Sequence, residues 1–176
     1  DIKGVIIKIG EYTKMDDMFI THIKNAIAYD LAYGVYYYAH ASTIDEAIAE
    51  ANWVDVQIKT YLNGKNPSLG IWYDVEDSSM LNNDTNVAYI IGNFINKLNE
   101  LGYDYVGFYS SYNWLTNIID LNLLASYIPI WSAQYNYSEN SFAIENPTRI
   151  CRLWQYTDCE QVGTLKLDCN IYYEQC

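Results

Sequence analysis

The chain has 176 residues, a length that fits one folded domain over residues 1–176. Its formal net charge is -12, from 10 Lys and Arg against 22 Asp and Glu, and it has no basic cluster to neutralise nucleic-acid phosphates. No apolar segment reaches the roughly 20 residues that a membrane helix requires. The composition therefore predicts a domain that binds neither nucleic acid nor a membrane.

Strand and helix patterns alternate along the first two thirds of the chain. A β-rich run at residues 5–9 precedes a helical pattern at 16–31, and a second strand at 34–39 precedes a helix that opens with the capping-box sequence at 43–46. The remaining predictions, in chain order, are a strand ending in Asp74 and Glu76, a helix at 84–101, a strand at 105–109, a short helix at 112–119, and then strands without helices at 128–134, 149–155 and 165–171.

This order of elements predicts an α/β fold, either a parallel barrel or a doubly wound sheet. The barrel is favoured because polar side chains fall late in the predicted strands, and βα barrels collect such groups at the C-terminal rim of their strands. Four βα units and three plain strands give seven strands, one fewer than the usual eight. The polar residues in question are His40, Asp74, Glu76, Tyr109, Gln134, Gln155 and Asp168.

The acidic pair Asp74 and Glu76 ends an apolar strand. Residues two apart leave the same face of a strand, with Cα atoms roughly 6.6 Å apart, so each charge raises the pKa of the other carboxyl. Hydrolysis of a glycosidic bond needs one protonated carboxyl and a second, ionised group. A solvated strand end has the same pattern, so the pair alone does not decide between the two.

The aromatic content is weighted toward side chains with a polar edge, with 19 Tyr and 5 Trp against 4 Phe. Such rings suit a sugar, which offers a flat C–H face and a rim of hydroxyls. We expect about a third of them to line a cleft and the rest to pack in the core.

All four cysteines fall near the C-terminus in a spacing that fits no zinc motif, and neither a metal nor a cofactor is predicted. Two disulfides, in any of three pairings, would indicate an oxidising compartment and hence a secreted protein, whereas buried thiols are the alternative. The candidates are Cys151, Cys159, Cys169 and Cys176.

Seven segments, in order along the chain, resemble one family. They are Val5-Ile6-Ile7-Lys8, Gly34-Val35-Tyr36-Tyr37-Tyr38, Trp72-Tyr73-Asp74-Val75-Glu76, Gly107-Phe108-Tyr109-Ser110-Ser111, Trp131-Ser132-Ala133-Gln134-Tyr135, Trp154-Gln155-Tyr156-Thr157 and Asp168-Cys169-Asn170. Together they are similar to the glycoside hydrolase family 25 lysozymes, which are N-acetylmuramidases.

The resemblance implies an irregular TIM-like (β/α)5(β)3 barrel, five βα units followed by three strands. The family's first strand, with its D-x-S motif and an active-site aspartate, has no counterpart in this chain, and Tyr37 stands where the family usually has His. We therefore expect either that the native gene product carries about 20 to 30 residues before Asp1, the length of one βα unit, or that the present form is catalytically weak.

The resemblance also implies that the chain, as a secreted monomer, cleaves the β-1,4 bond between N-acetylmuramic acid and N-acetylglucosamine in the peptidoglycan of bacterial cell walls. Glu76 would be the general acid. Asp74 would stay ionised and stabilise the sugar cation or orient the N-acetyl group, and Asp168 would close the cleft. The expected sugar-binding residues are Tyr36, Tyr109, Trp131, Gln134, Tyr135, Trp154 and Gln155.

Two other functions fit the same residues. One is a non-catalytic domain that binds peptidoglycan or another glycan. The other is a chitinase-like hydrolase, although the D-G-x-D run typical of that class does not precede Asp74. Of the two histidines, His22 is expected to be structural and His40 to lie at the rim.

Overall fold

A computed structural model describes residues 2–173 of the chain, as a sheet with helices packed against it. None of the helices in that range is long and apolar enough to cross a membrane. The strands are β1 (Gly4–Glu11), β2 (Lys14–Met15), β3 (Ala32–Tyr38), β4 (Ile71–Asp74), β5 (Val106–Ser111), β6 (Ile130–Ala133), β7 (Cys151–Val162) and β8 (Leu165–Tyr172). The α-helices are α1 (Phe19–Ala28), α2 (Ile44–Tyr61), α3 (Val87–Glu100), α4 (Tyr112–Asn117) and α5 (Ser141–Glu145), with 3-10 turns at Ser78–Leu81 and Leu121–Leu123.

The strands form one mixed sheet in the order β2-β1-β3-β4-β5-β6-β7-β8. Strands β1 and β3 to β7 run parallel, whereas β2 and β8 run antiparallel to their neighbours at the two ends. Within residues 2–173 no ladder joins β1 to β8, so the sheet curls into an open half-barrel. The predicted α/β, TIM-like fold is thereby confirmed, and the eight strands are the seven predicted ones together with the two-residue β2.

The two faces of the sheet carry separate apolar clusters, because successive strand residues point to opposite sides. The helix-facing side packs against amphipathic helices such as α3, whose Phe94 and Ile91 are buried. The concave side forms a smaller cluster of Trp72, Tyr109, Trp131, Ala133 and Leu153, with Ile6, Tyr36 and Tyr105 packed against it.

The C-terminal third differs from the prediction in two places. A short helix, α5, follows β6, so the expectation that helices end before this region is wrong; the Asn140 side chain caps it by accepting from the N–H of Ala143. Strand β7 also continues past residue 155 to Val162 and pairs there with β8 alone, in a hairpin that turns at Gly163. Asp168 is the fourth of the eight residues of β8, which runs antiparallel to β7, so the expectation that it falls late in its strand is wrong.

The cysteines do not form the predicted pattern of two disulfides. Cys176 lies outside the described residues, so two disulfides would require one bond among Cys151, Cys159 and Cys169, and these three are free thiols in the structure. Cys151 instead accepts a hydrogen bond from Asn140 Nδ2 at 3.2 Å, and burial raises the pKa of its thiol.

Candidate active site

Two carboxyl groups lie at the C-terminal end of β4. Strand alternation turns Trp72 and Asp74 to the concave side, while Tyr73 between them faces the helices. Asp74 is only 7% exposed, and its buried Oδ1 has no hydrogen-bond partner among the described residues. Glu76, two residues further on, lies exposed at the rim. One carboxyl is therefore enclosed and the other open to substrate and water.

All three predicted catalytic carboxyls bind protons more tightly than usual. Burial, followed by the charge of Glu76, raises the pKa of Asp74 well above its ordinary value. Desolvation by the surrounding protein, followed by the charges of Asp168 and Asp77, raises the pKa of Glu76. Burial and the charge of Asp158 raise the pKa of Asp168, whereas the side chain of Gln155 lowers it. The raised pKa of Asp74 differs from the expectation that this group simply stays ionised, because the strand end encloses it.

A lysine from β1 faces the same acidic group. Lys8 pairs in register with Tyr36, and its charge lowers the pKa of Asp74, against the effect of burial. Its Nζ lies 3.2 Å from Glu11 Oε1 and 5.2 Å from the centre of the Tyr38 ring. Sequence reasoning did not assign Lys8 a place in the site, although its position in β1, two residues from Ile6, predicts the concave face.

Trp131 is the centre of an aromatic floor beneath the carboxyls. Its ring meets those of Tyr109, Trp72 and Tyr36 edge to face, with centroids 4.8, 5.8 and 6.4 Å away. Its Nε1 donates to Asn170 Oδ1 at 2.8 Å, which ties the floor to β8. Of the predicted sugar-binding residues, Tyr36, Tyr109 and Trp131 thus lie together.

Gln155 links this floor to the rim. Its Oε1 accepts hydrogen bonds from the hydroxyls of Tyr109 and Tyr135, both at 2.8 Å, and its side chain also lowers the pKa of Asp168. Gln155 is buried, whereas Tyr135 is 36% exposed. One amide therefore fixes two tyrosines of the predicted site.

Two predicted sugar-binding residues are turned away from this floor. Gln134 Oε1 accepts from the N–H of Ser141 at 3.2 Å, at the start of α5. Trp154 precedes Gln155 in β7 and so faces the opposite side, where its Nε1 donates to the Gln134 carbonyl at 3.0 Å. Both side chains stabilise the β6–α5–β7 connection.

His40 lies at the rim, as expected, in a cluster of charged and aromatic groups. Its ring stacks on Tyr12 with centroids 3.5 Å apart, and its Nε2 lies 3.3 Å from Glu11 Oε2. Its Nδ1 lies 3.7 Å from Asp77 Oδ2. Across residues 2–173 no set of three or more His, Cys, Asp and Glu side chains is arranged to hold a metal ion.

Comparison with known proteins decides the family. A family model described as glycosyl hydrolases family 25 matches residues 1–165. The chain belongs to this family. The resemblance carried by the seven segments is thereby confirmed, and the chain is placed among the glycoside hydrolases. A comparison with curated protein sequences finds no match.

Solved structures share the fold over nearly all of the chain. The modular autolysin LytC from Streptococcus pneumoniae, in complex with a synthetic peptidoglycan ligand, is 26% identical with a TM-score of 0.83, over 97% of this chain and 41% of that one. The catalytic domain of endolysin ply40 from bacteriophage P40 of Listeria monocytogenes is 23% identical with a TM-score of 0.79, over 98% of this chain and 83% of that one. A lysozyme from Streptomyces coelicolor is 19% identical with a TM-score of 0.72, over 98% of this chain and 82% of that one. The chain thus spans about two fifths of LytC.

Proposed function

We propose that this chain is a peptidoglycan hydrolase that cleaves the β-1,4 bond between N-acetylmuramic acid and N-acetylglucosamine. The observation that carries the proposal is the pairing of an exposed carboxyl of raised pKa, Glu76, with an enclosed one, Asp74, above an aromatic floor. Family membership and the peptidoglycan ligand of LytC support the choice of polymer. Extracellular, antibacterial action of a monomer on bacterial walls is part of the proposal.

In the proposed reaction, Glu76 transfers its proton to the bridging oxygen as the bond from that oxygen to the sugar carbon breaks. Positive charge then develops on the sugar next to Asp74, and the reaction is completed when a water molecule adds to that carbon and its proton passes to a carboxylate of the pair. A nearby positive charge favours the ionised form of a carboxyl, and Lys8 already has this effect on Asp74. The charge that develops on the sugar acts in the same way, so Asp74 interacts more strongly with the transition state than with the substrate. Its unpartnered Oδ1 is free to accept a hydrogen bond from the substrate.

The test is the release of new reducing ends from purified bacterial cell walls by wild type and by Glu76→Gln. The amide keeps the shape but has no proton to transfer, so we expect turnover to fall by about 10²-fold or more, with little change in thermal stability. Glu100→Gln makes the same change at an exposed site on α3 and is expected to leave turnover unaltered. Wild-type turnover by Glu76→Gln would contradict the role of Glu76.

The products identify the bond. Muramic acid at the new reducing ends is expected for the proposed function, whereas glucosamine there would favour a chitinase-like specificity. Tight binding of wild-type protein to cell walls with no release of fragments would favour a non-catalytic glycan-binding domain.

A further inference from the structure

A buried carboxyl outside the catalytic centre, that of Glu50, lies behind the sheet. Glu50 projects from α2 into the layer between helices and strands and is only 7% exposed. Its Oε2 accepts a hydrogen bond from the Tyr73 hydroxyl at 2.5 Å, and its Oε1 accepts from the N–H of His40 at 3.2 Å. The described residues place no lysine, arginine or histidine within ion-pair distance of it. Its carboxyl is held by hydrogen-bond donors alone.

These two donors belong to neighbouring strand ends at the catalytic rim. Tyr73 directly precedes Asp74 in β4. His40 lies two residues after the end of β3, in the loop of residues 39–43, called the rim loop below. The strands themselves are joined there, since the N–H of Ala39 donates to the carbonyl of Asp74 at 2.9 Å. The Glu50 carboxyl on α2 thus binds the ends of both β3 and β4 from the helix-facing side of the sheet.

We propose that Glu50 is a positioning residue that fixes the ends of β3 and β4, and through them Asp74, Glu76 and the His40 loop, in the geometry that bond cleavage requires. The proposal rests on the catalytic roles proposed above. It extends them to a residue that contacts neither substrate nor reacting atoms.

The groups around Glu50 make its hold on the two strand ends depend on whether its carboxyl is ionised. Two tyrosine hydroxyls face it from the sheet, that of Tyr73 from β4 and that of Tyr37 from β3. The Tyr37 hydroxyl also accepts a hydrogen bond from the N–H of Thr13 at 3.0 Å. The N–H groups of His40 and Ala41 face it from the rim loop. Among the described residues, the charged side chain with the largest effect on it is Glu46, one turn earlier in α2. Burial, only partly opposed by these donors, raises the pKa of Glu50 to about 7.

The charged and neutral forms of Glu50 hold the rim differently. The carboxylate is an acceptor only and can satisfy every donor that faces it, whereas the protonated acid must place its own proton against one of them. Gln resembles the protonated acid, because its amide also turns a donor toward these groups. Glu50→Gln is therefore a mimic of the neutral form at every pH.

The test compares cell-wall turnover by wild type and Glu50→Gln across pH. We expect the two to differ by less than about twofold near pH 5.5, and wild type to be faster by about tenfold near pH 8, with the change centred close to pH 7. The difference should lie mainly in kcat, because Glu50 does not contact the substrate. A ratio that stays constant with pH would overturn the proposal.

Asp55→Asn is the matched control on the same helix. Asp55 is also 7% exposed and accepts from a tyrosine hydroxyl, that of Tyr103 at 2.9 Å, but Tyr103 lies before β5, at the other end of the sheet. Its ratio to wild type should not change with pH. Tyr73→Phe removes one donor and keeps the ring stacked on Phe94 at 3.8 Å, so it covers the case in which Glu50→Gln fails to fold. Wild-type activity of Tyr73→Phe at every pH would also overturn the proposal.

A readout without turnover separates this proposal from the proposed function. The carboxyl 13C resonance of Asp74, followed by NMR, should show a second inflection near pH 7 in wild type that Glu50→Gln lacks. Its presence in a protein that releases no wall fragments would refute the hydrolase function and leave the coupling intact. Its absence in an active protein would refute the coupling alone.

Discussion

Burial sets the proton affinities of the side chains in this cleft more than charge does. Desolvation is the largest cause of the raised pKa at Asp74, Glu76 and Asp168, and neighbouring carboxylates add to it. Within residues 2–173, Lys8 is the cation that opposes the effect at Asp74. The site therefore retains protons at pH values at which carboxyls of ordinary pKa have lost them, which is what an acid catalyst requires.

Replacing Asp168 should move the pH profile of activity. Its charge is the first electrostatic cause, after desolvation, of the raised pKa of Glu76, so Asp168→Asn lowers that pKa. Because Glu76, in its proposed role as the general acid, must be protonated to donate, the alkaline limb of the kcat profile should shift to lower pH, whatever the loss in maximal rate. Asp158→Asn is the control, since Asp158 acts on Asp168 and is not among the causes at Glu76. An unmoved limb would contradict the coupling.

Replacing Gln155 should destabilise the fold more than its size suggests. Gln155→Leu keeps the bulk but leaves the buried Tyr109 hydroxyl without its acceptor, at an expected cost of about 1 to 3 kcal/mol in the free energy of unfolding. Tyr135→Phe removes a more exposed hydroxyl from the same acceptor and should cost less than about 1 kcal/mol. Urea denaturation of both variants tests this, and equal losses would argue against burial as the cause.

Stability should also depend on pH through Glu50. Its pKa of about 7 in the folded chain exceeds the ordinary 4.5, so between these values the folded state keeps a proton that the unfolded state releases. The contribution is complete below pH 4.5 and is lost as pH rises through 7. The unfolding free energy of wild type should thus fall relative to Glu50→Gln by roughly 3 kcal/mol across that window. Parallel stability curves for the two proteins would contradict the shift.

At the level of elements, two glycines should respond in opposite directions to alanine. A Cβ at Gly107 in β5 would lie 2.4 Å from the Pro129 carbonyl oxygen and 2.7 Å from Trp72, so Gly107→Ala should cost several kcal/mol, on the order of 3 or more. Gly92 lies inside α3, where the nearest atom to such a Cβ is 3.6 Å away, so Gly92→Ala should stabilise by about 0.5 to 1 kcal/mol. Thermal and urea unfolding check both signs.

Elements set by local signals were predictable from sequence, and those set by distant pairing were not. Helix α2 begins at its predicted cap, where Thr43 and Glu46 bond reciprocally. The length of β7 beyond residue 155 depends on β8, and no local pattern fixes that pairing.

The same distinction applies to the site. Period-two alternation within β4 puts Trp72 and Asp74 on one face, and applied strictly in β7 it separates Trp154 from Gln155, since adjacent residues cannot share a face. The roles of Lys8 and Glu50 depend on contacts between elements far apart in sequence, so the sequence alone does not give them.

At the scale of the whole molecule, the net charge of -12 should make action on cell walls depend on salt. Walls rich in carboxylate and phosphate repel an acidic protein, and screening shortens that repulsion from about 30 Å at 0.01 M salt to about 8 Å at 0.15 M. Clearing of such walls should therefore speed up as salt is added over this range. Walls stripped of anionic polymers are the control and should show a weaker dependence; an equal dependence for both would contradict the electrostatic cause.

The floor of the open half-barrel has an optical consequence. Trp72 and Trp131 hold their rings 5.8 Å apart at an interplanar angle of 76°, both nearly enclosed by protein. Two indoles fixed this close and at this tilt couple their electronic transitions, which gives a circular-dichroism signal in the ultraviolet that depends on their mutual geometry. The protein therefore contains its own spectroscopic reporter, without a label, at the base of the cleft in which a glycan chain would lie.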